Sequence, residues 1–342
     1  MTSFKSYFSA HVRSNFKPLT YILVITLALT LILGLTNQPY DEWDYVTETL
    51  TPDYRSTLYI PVIFLCVLAY VLPLMEFSFF KKRRNLDCAY ALPISRRAMG
   101  VVHYLTGAIT LIGTFTLSYL LNFILLLTRG VGYFDFPPMI AHYCLCVLLG
   151  LALYSVMVFV FNEANTTGDG IWFMLLWTFV LPLVLFAIEE VAGDFRVFTA
   201  ESCAMPWGVI DSLTTTYQYI VEIDDIEYAK FWQTGECIFW LAFWIAAGAA
   251  AAVGSFLTFG KRRMEKTEEV SDSFFGFRVL IPVYAVSGML DLAAIGAALV
   301  WVVIELLAFV GYTIYRRGFH YKKSDIIILA SMLIFLFLGY IG

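Results

Sequence analysis

Apolar stretches of about twenty residues recur from Pro18 almost to the C-terminus, separated by polar segments. A bilayer hydrocarbon core about 30 Å thick is crossed by roughly 20 residues of helix at 1.5 Å rise each. These stretches therefore read as membrane-spanning helices. Composition agrees, since 60% of the 342 residues are hydrophobic and 14% charged, where soluble domains carry roughly 25% charged residues. A water-soluble fold is excluded, and the expected fold class is all-α, a polytopic transmembrane helical bundle.

Thr2 to Lys17 place Phe4, Tyr7, Phe8, His11, Val12 and Phe16 on one helical face, the pattern of a helix lying in the membrane interface. The run that follows is too long for a signal-peptide core and no small-residue cleavage site follows Leu35, so it is expected to stay as an anchor. Spans are expected over 18–36, 57–80, 101–127, 139–161, 171–188 and 237–259. Acidic outer segments are expected at 37–56 and 189–236, part of the latter dipping back into the outer leaflet. Ala246 to Gly254 is a run of only Ala, Val and Gly, and such small side chains let helix backbones approach closely in lipid. A polar linker, 261–276, leads to the block 277–342. Within it, Val279 to Tyr315 reads as two short spans turning near Asp291, and Ile326 to Ile341 as the last of nine.

Basic residues accumulate in cytoplasmic loops. With the N-terminus inside, only Arg55, Arg129, Arg196 and Lys230 of the 22 basic residues fall in outer segments. Reading Val279 to Tyr315 as one span would put the Arg316 cluster outside, which is why two are preferred.

Motifs for chemistry are missing. A phosphate loop needs G-x-x-x-x-G-K-[ST], and the nearest approach, Gly254 to Arg262, has the wrong spacing and an Arg where the hydroxyl belongs. The histidines (His11, His103, His142, His320) are dispersed, with no H-E-x-x-H, and there is no G-x-S-x-G. No metal site, no cofactor and no catalytic centre are expected in the chain. The six cysteines form no C-x-x-C pair. Cys66, Cys88, Cys144 and Cys146 read as small buried hydrophobes, while Cys203 and Cys237 both fall near the outer surface, where a disulfide is conceivable. Asn165-Thr166-Thr167 matches a glycosylation sequon by chance, because its loop is expected on the cytoplasmic side.

The segment after the second span is more informative. Glu76-Phe-Ser-Phe-Phe-Lys-Lys-Arg-Arg-Asn-Leu-Asp87 leads to Leu92-Pro93-Ile94-Ser95-Arg96, with Ser95 placed to cap the next helix. A basic anchor and a turn alone would not require Glu76, Asp87 or the Leu-Pro-Ile-Ser-Arg string. Here the chain resembles the permease subunits of ABC-2-type exporters, over residues 1 to about 260. The resemblance implies a six-span core behind an interfacial helix (1–17, then 18–260), with a coupling loop, 76–98, that docks on a separate ATP-binding cassette ATPase. It implies coupling roles for Glu76, Arg83, Arg84, Asp87, Leu92, Pro93, Ile94, Ser95 and Arg96. Asn162, Asn165 and Asp169, after the fourth span, read either as a second ATPase contact or as a polar helix connector. The chain departs from the six-span pattern in its block 277–342, as in extended bacterial permeases, and it lacks a fused ATPase.

The implied function is the permease half of an ATP-driven exporter of drugs or peptides in the bacterial cytoplasmic membrane. The implied partners are membrane lipid, an ATPase that binds ATP and magnesium, and a second permease copy, identical or not. The chain itself would be no enzyme and would bind no nucleic acid. Its substrate is not readable, since outer loops depleted of Lys and Arg look acidic whatever is carried. An ion-coupled secondary transporter would show repeats and midplane polar residues, of which Glu305 is the one intramembrane acid found. Glu305 reads as a structural charge approaching Arg316, Arg317 or water rather than as a transport group. A membrane sensor or scaffold is the third reading.

Overall fold

In a computed structural model of the chain, the described residues are 4–36, 40–44, 49–53, 55–128, 136–192, 201–205, 207–214, 235–260, 267–269, 271, 273–293, 298–316, 318–319 and 321–341. The basic stop Lys261 to Lys266, most of the second outer segment and Arg317 lie outside them, as do the side chains of Cys88 and Cys237.

The long helices are α1 (Phe4–Thr36), α2 (Arg55–Phe77), α4 (Arg96–Thr128), α5 (Phe136–Glu163) and α6 (Thr167–Ala192). The short α3 (Arg83–Tyr90) lies between α2 and α4, and a short α7 covers 207–214. Then come α8 (Gly235–Phe259), α9 (Phe277–Ala293), α10 (Ala298–Arg316) and α11 (Lys323–Ile341). Six of them, α1, α2, α4, α5, α6 and α8, are long and apolar enough to cross a membrane. The chain is a multi-pass helical membrane protein.

Its surface is that of a body immersed in lipid. Ile63, Ile109, Leu120, Ile124, Trp172 and Val253 all stand exposed, an arrangement that water would penalise and lipid does not. The protein-facing stripe of α1 is the reverse of a soluble helix: Thr26, Thr30 and Gly34 are its buried residues, one per turn. Thr30 Oγ1 lies 2.7 Å from Ser118 Oγ on α4, and a Cβ on Gly34 would stand 2.7 Å from Leu125 Cδ1. Small residues admit the neighbour while large ones face the lipid.

α5 lies at the centre, packed by α2, α4, α6 and α8. The small-residue run of α8 makes the expected close approach: a Cβ on Gly248 would stand 2.5 Å from Ala152 Cβ of α5. α9 docks on α6, where Tyr284 donates to the Leu176 carbonyl at 2.6 Å and Phe173 meets Phe277 edge-on. α10 and α11 follow outward, sharing a small cluster around Ala285 and Ala308.

Several expectations change. The interfacial segment and first span form one unbroken helix with Pro18 inside it, a residue that cannot donate to the Ser14 carbonyl. The acidic loop after α1 holds an antiparallel hairpin, β1 (Tyr40–Asp44) and β2 (Thr49–Asp53), with Trp43 opposite Leu50, so the regular elements among the described residues are helices and two short strands. Cys203 is a free, buried thiol 3.3 Å from Ser212 Oγ, which removes the disulfide to Cys237. It sits in a segment that packs on the bundle through Ala204, Val209, Ile210 and Leu213.

Candidate functional site at the basic end of the bundle

The loop between α2 and α4 is built on an aromatic wedge. Phe77 and Phe80 are buried and meet Phe259 of α8 edge-on, at 6.0 and 5.0 Å between ring centres. α2 tightens into a 3-10 turn over Ser78–Lys81, and the extended backbone of Lys82 redirects the chain. Its carbonyl accepts from Asn85 and Leu86 N–H to start α3. Leu86 is buried, whereas Arg83, Arg84 and Asp87 stand exposed, so α3 is seated by one apolar side chain and presents charge outward. After the turn through Leu92 and Pro93, both exposed, Ser95 caps α4 as expected: its Oγ accepts from Ala98 N–H at 3.2 Å. Ile94 packs on the core and Arg96 is exposed.

Lys81 holds this loop to the rest of the bundle. Its side chain is buried, and its ammonium donates to the carbonyls of Phe161, at 2.6 Å, and Ala164, with the Phe161 ring 4.7 Å away. The end of α5 thus has a cation where its unpaired carbonyls gather.

The linker crosses the same end. Arg83 Nε donates to the Thr267 carbonyl at 2.9 Å and its N–H to Glu268 Oε1 at 3.1 Å. Glu268, in a left-handed conformation at φ 69°, donates its N–H to the Asn165 carbonyl. Ser271 donates its N–H to Asp169 Oδ2 at 3.1 Å and its hydroxyl to the Glu163 carbonyl at 3.0 Å. Trp177 Nε1 donates to the Phe275 carbonyl at 2.7 Å, leading into α9. Three segments far apart in sequence, 76–98, 162–170 and 267–276, are therefore one assembled surface.

That surface separates the candidate residues. Arg84, Asp87, Leu92, Pro93, Ser95 and Arg96 are outward, whereas Arg83, the Asn165 carbonyl and the Asp169 carboxylate are tied to the linker. Asn162 is buried, and its amide has no hydrogen-bond partner among the described residues. Glu305 is far from this surface. Arg316 instead forms a two-pronged pair with Asp325, at 2.8 and 2.9 Å, and Asp325 also accepts the Lys322 N–H, capping α11. Glu305 is three turns back along α10, and its Oε2 is buried without a partner among the described residues, so the expected pairing with Arg316 is not made.

Glu76 is turned inward, 2% exposed, and the dispersed histidines converge on it. His11 Nε2 lies 2.9 Å and His103 Nδ1 3.2 Å from Glu76 Oε2. Tyr7 hydroxyl stands 3.5 Å from His103 Nε2, and Asn15 Nδ2 3.1 Å from His11 Nε2. The cluster faces a cavity of about 440 Å³ lined also by Ser14, Ser78, Lys82 and Asn85. No spacing rule reveals three side chains from three helices. The one signal was three ionisable residues near the polar ends of otherwise apolar helices. His142, at the other end, is a satisfied core histidine held by Tyr119 and Thr214.

Compared with protein families, with curated proteins and with solved structures, the chain matches none.

Proposed function

We propose that the chain is the permease subunit of an ATP-driven exporter of the ABC-2 type, embedded in a bacterial cytoplasmic membrane with its basic end in the cytoplasm. A separate ATP-binding cassette ATPase binds ATP and magnesium there, and the permease works as a dimer with an identical or related copy. The observation that carries the reading is the mounting of α3. A force transmitter has to be exposed where it is pushed and fixed where it pushes. α3 meets both needs, with Arg84 and Asp87 outward and without side-chain partners among the described residues, and with Leu86 and Lys81 seated in the bundle. Movement of α3 is passed to α2 and α4, its direct continuations, and through Lys81 to α5.

In this reading the docking surface is the exposed loop 84–96, because Asn162 is buried and the linker engages Arg83, the Asn165 carbonyl and the Asp169 carboxylate. An ion-coupled transporter is the weaker reading. Its expected membrane acid, Glu305, stands on the peripheral α10, away from the central helices. The test is purification of the untreated complex from native membranes. An ATPase with an ATP-binding cassette should co-purify, and Arg84→Glu or Asp87→Lys should release it while the permease keeps its melting temperature. If no ATPase accompanies the parent chain, or if both charge reversals leave it attached, the proposal fails.

A further inference from the structure

The His11, Glu76 and His103 cluster is unexplained by force transmission, and its geometry points to a metal. We propose that these three side chains bind a divalent transition-metal ion of the zinc class, joining α1, α2 and α4 behind the exposed loop. The proposal does not depend on the exporter reading.

Four observations support it. First, the donor atoms are those such ions take, two imidazole nitrogens and one carboxylate oxygen, all within 4.8 Å of one another. Second, both spacings to the carboxylate fit a shared ion. Ligand atoms each held at about 2.0 to 2.1 Å from one ion stand about 2.9 to 3.4 Å apart, for angles between square and tetrahedral. The two nitrogen-to-oxygen separations are 2.9 and 3.2 Å.

Third, protein partners leave one of the two ring nitrogens unsatisfied. His103 Nδ1 is buried and aimed at Glu76 Oε2, yet makes no well-formed hydrogen bond. His11 Nε2 lies at hydrogen-bond distance from both Glu76 Oε2, at 2.9 Å, and Asn15 Nδ2, at 3.1 Å, so the unfilled position is at His103. Fourth, the second ring nitrogen of His103 has Tyr7 hydroxyl beside it, the kind of outer partner that fixes the ring of a ligating histidine. The adjoining cavity leaves room for water in the remaining coordination positions.

Three ligands from three helices make the ion a cross-link. It would hold the first helix, through His11, against the ends of the two helices that carry the loop.

The experiment uses the full-length chain in detergent, with any affinity tag removed, stripped with a chelator and titrated with Zn²⁺ and, as a spectroscopic probe, Co²⁺. One equivalent of each should bind, Co²⁺ giving visible ligand-field absorption. His11→Gln and Glu76→Gln should weaken Zn²⁺ binding at least about 100-fold and remove the Co²⁺ bands. Each variant is checked for a monodisperse elution profile and a parent-like helical spectrum. His11→Gln is at the rim, so it keeps the test open if Glu76→Gln misfolds. Absence of binding by the parent, or equal binding by a folded variant, overturns the proposal. A melting temperature that follows pH with no metal uptake also overturns it, by assigning the cluster to proton binding.

Discussion

The Nζ of Lys81 lies 2.6 Å from the carbonyl oxygen of Phe161, a buried cation on the closing turn of the central helix. Replacing it with methionine keeps the volume and removes the ammonium from the Phe161 and Ala164 carbonyls, the first of which keeps the Ala164 N–H. Losing hydrogen bonds to a charged group costs about 1.5 to 3 kcal/mol, so Lys81→Met should lower the melting temperature of the detergent-purified chain. Arg84→Met, on the exposed face of the same loop, should not. Equal melting temperatures for both variants would remove Lys81 from the anchoring of the loop.

Close approach of α8 to α5 rests on Gly248. A methyl there meets the Cα and Cβ of Ala152, backbone and side chain that have no free rotamer to move away. Gly248→Ala should destabilise by about 1 to 3 kcal/mol, the usual cost of overpacking. Gly113→Ala serves as the control, because a Cβ at 113 meets nothing within 4 Å. The pair can be read by thermal unfolding, and a tolerated Gly248→Ala would mean that the two helices are not that close.

Thr30 of α1 and Ser118 of α4 share a buried hydrogen bond. Such bonds between helices in lipid average about 0.6 kcal/mol, so Thr30→Val should cost little. Thr30→Leu puts a large side chain into the small-residue stripe and should loosen the first helix far more. Disulfide trapping between cysteines placed at 30 and 118 in a cysteine-free background offers an independent check of the same contact. Failure to cross-link in folded protein would displace α1 from this face.

Asp325 joins α10 to α11 through Arg316 while capping α11 at Lys322. Asp325→Ala leaves a nearly buried guanidinium unpaired, a change worth about 3 kcal/mol, and frees the first turn of α11. Trypsin should then cleave at Lys322 or Lys323 at least about tenfold faster, since 1.4 kcal/mol is a factor of ten. Unchanged proteolysis would show that the turn is held by something else.

Features governed by neighbours along the chain were legible before the structure. Helix positions followed from apolar length, the Ser95 cap from a hydroxyl three residues before the N–H it accepts, and the two helices within Val279 to Tyr315 from a block too long for one. The Ala246 to Gly254 run correctly announced a close helix contact, though not that Ala152 would face it. What failed depended on contacts across the fold. Glu76 was read only as part of the coupling loop, and its partners, His11 and His103, come from two other helices. Glu305 was read as approaching Arg316, Arg317 or water, whereas the acid that reaches Arg316 lies across a turn, at Asp325. The return of 267–276 across the basic end was invisible because its bonds are largely to backbone carbonyls, which every residue carries and no motif marks.

The course of 267–276 changes what the last third of the chain can be. Its bonds to Arg83, Asn165, Asp169 and Glu163 add a second tie between loops that Lys81 already joins. A chain cut after Phe259 would still contain each of the six longest helices, but it would have lost this stitching between their ends. The terminal helices are therefore not a detachable ornament, because the thread that leads to them is sewn through the part that would be left behind.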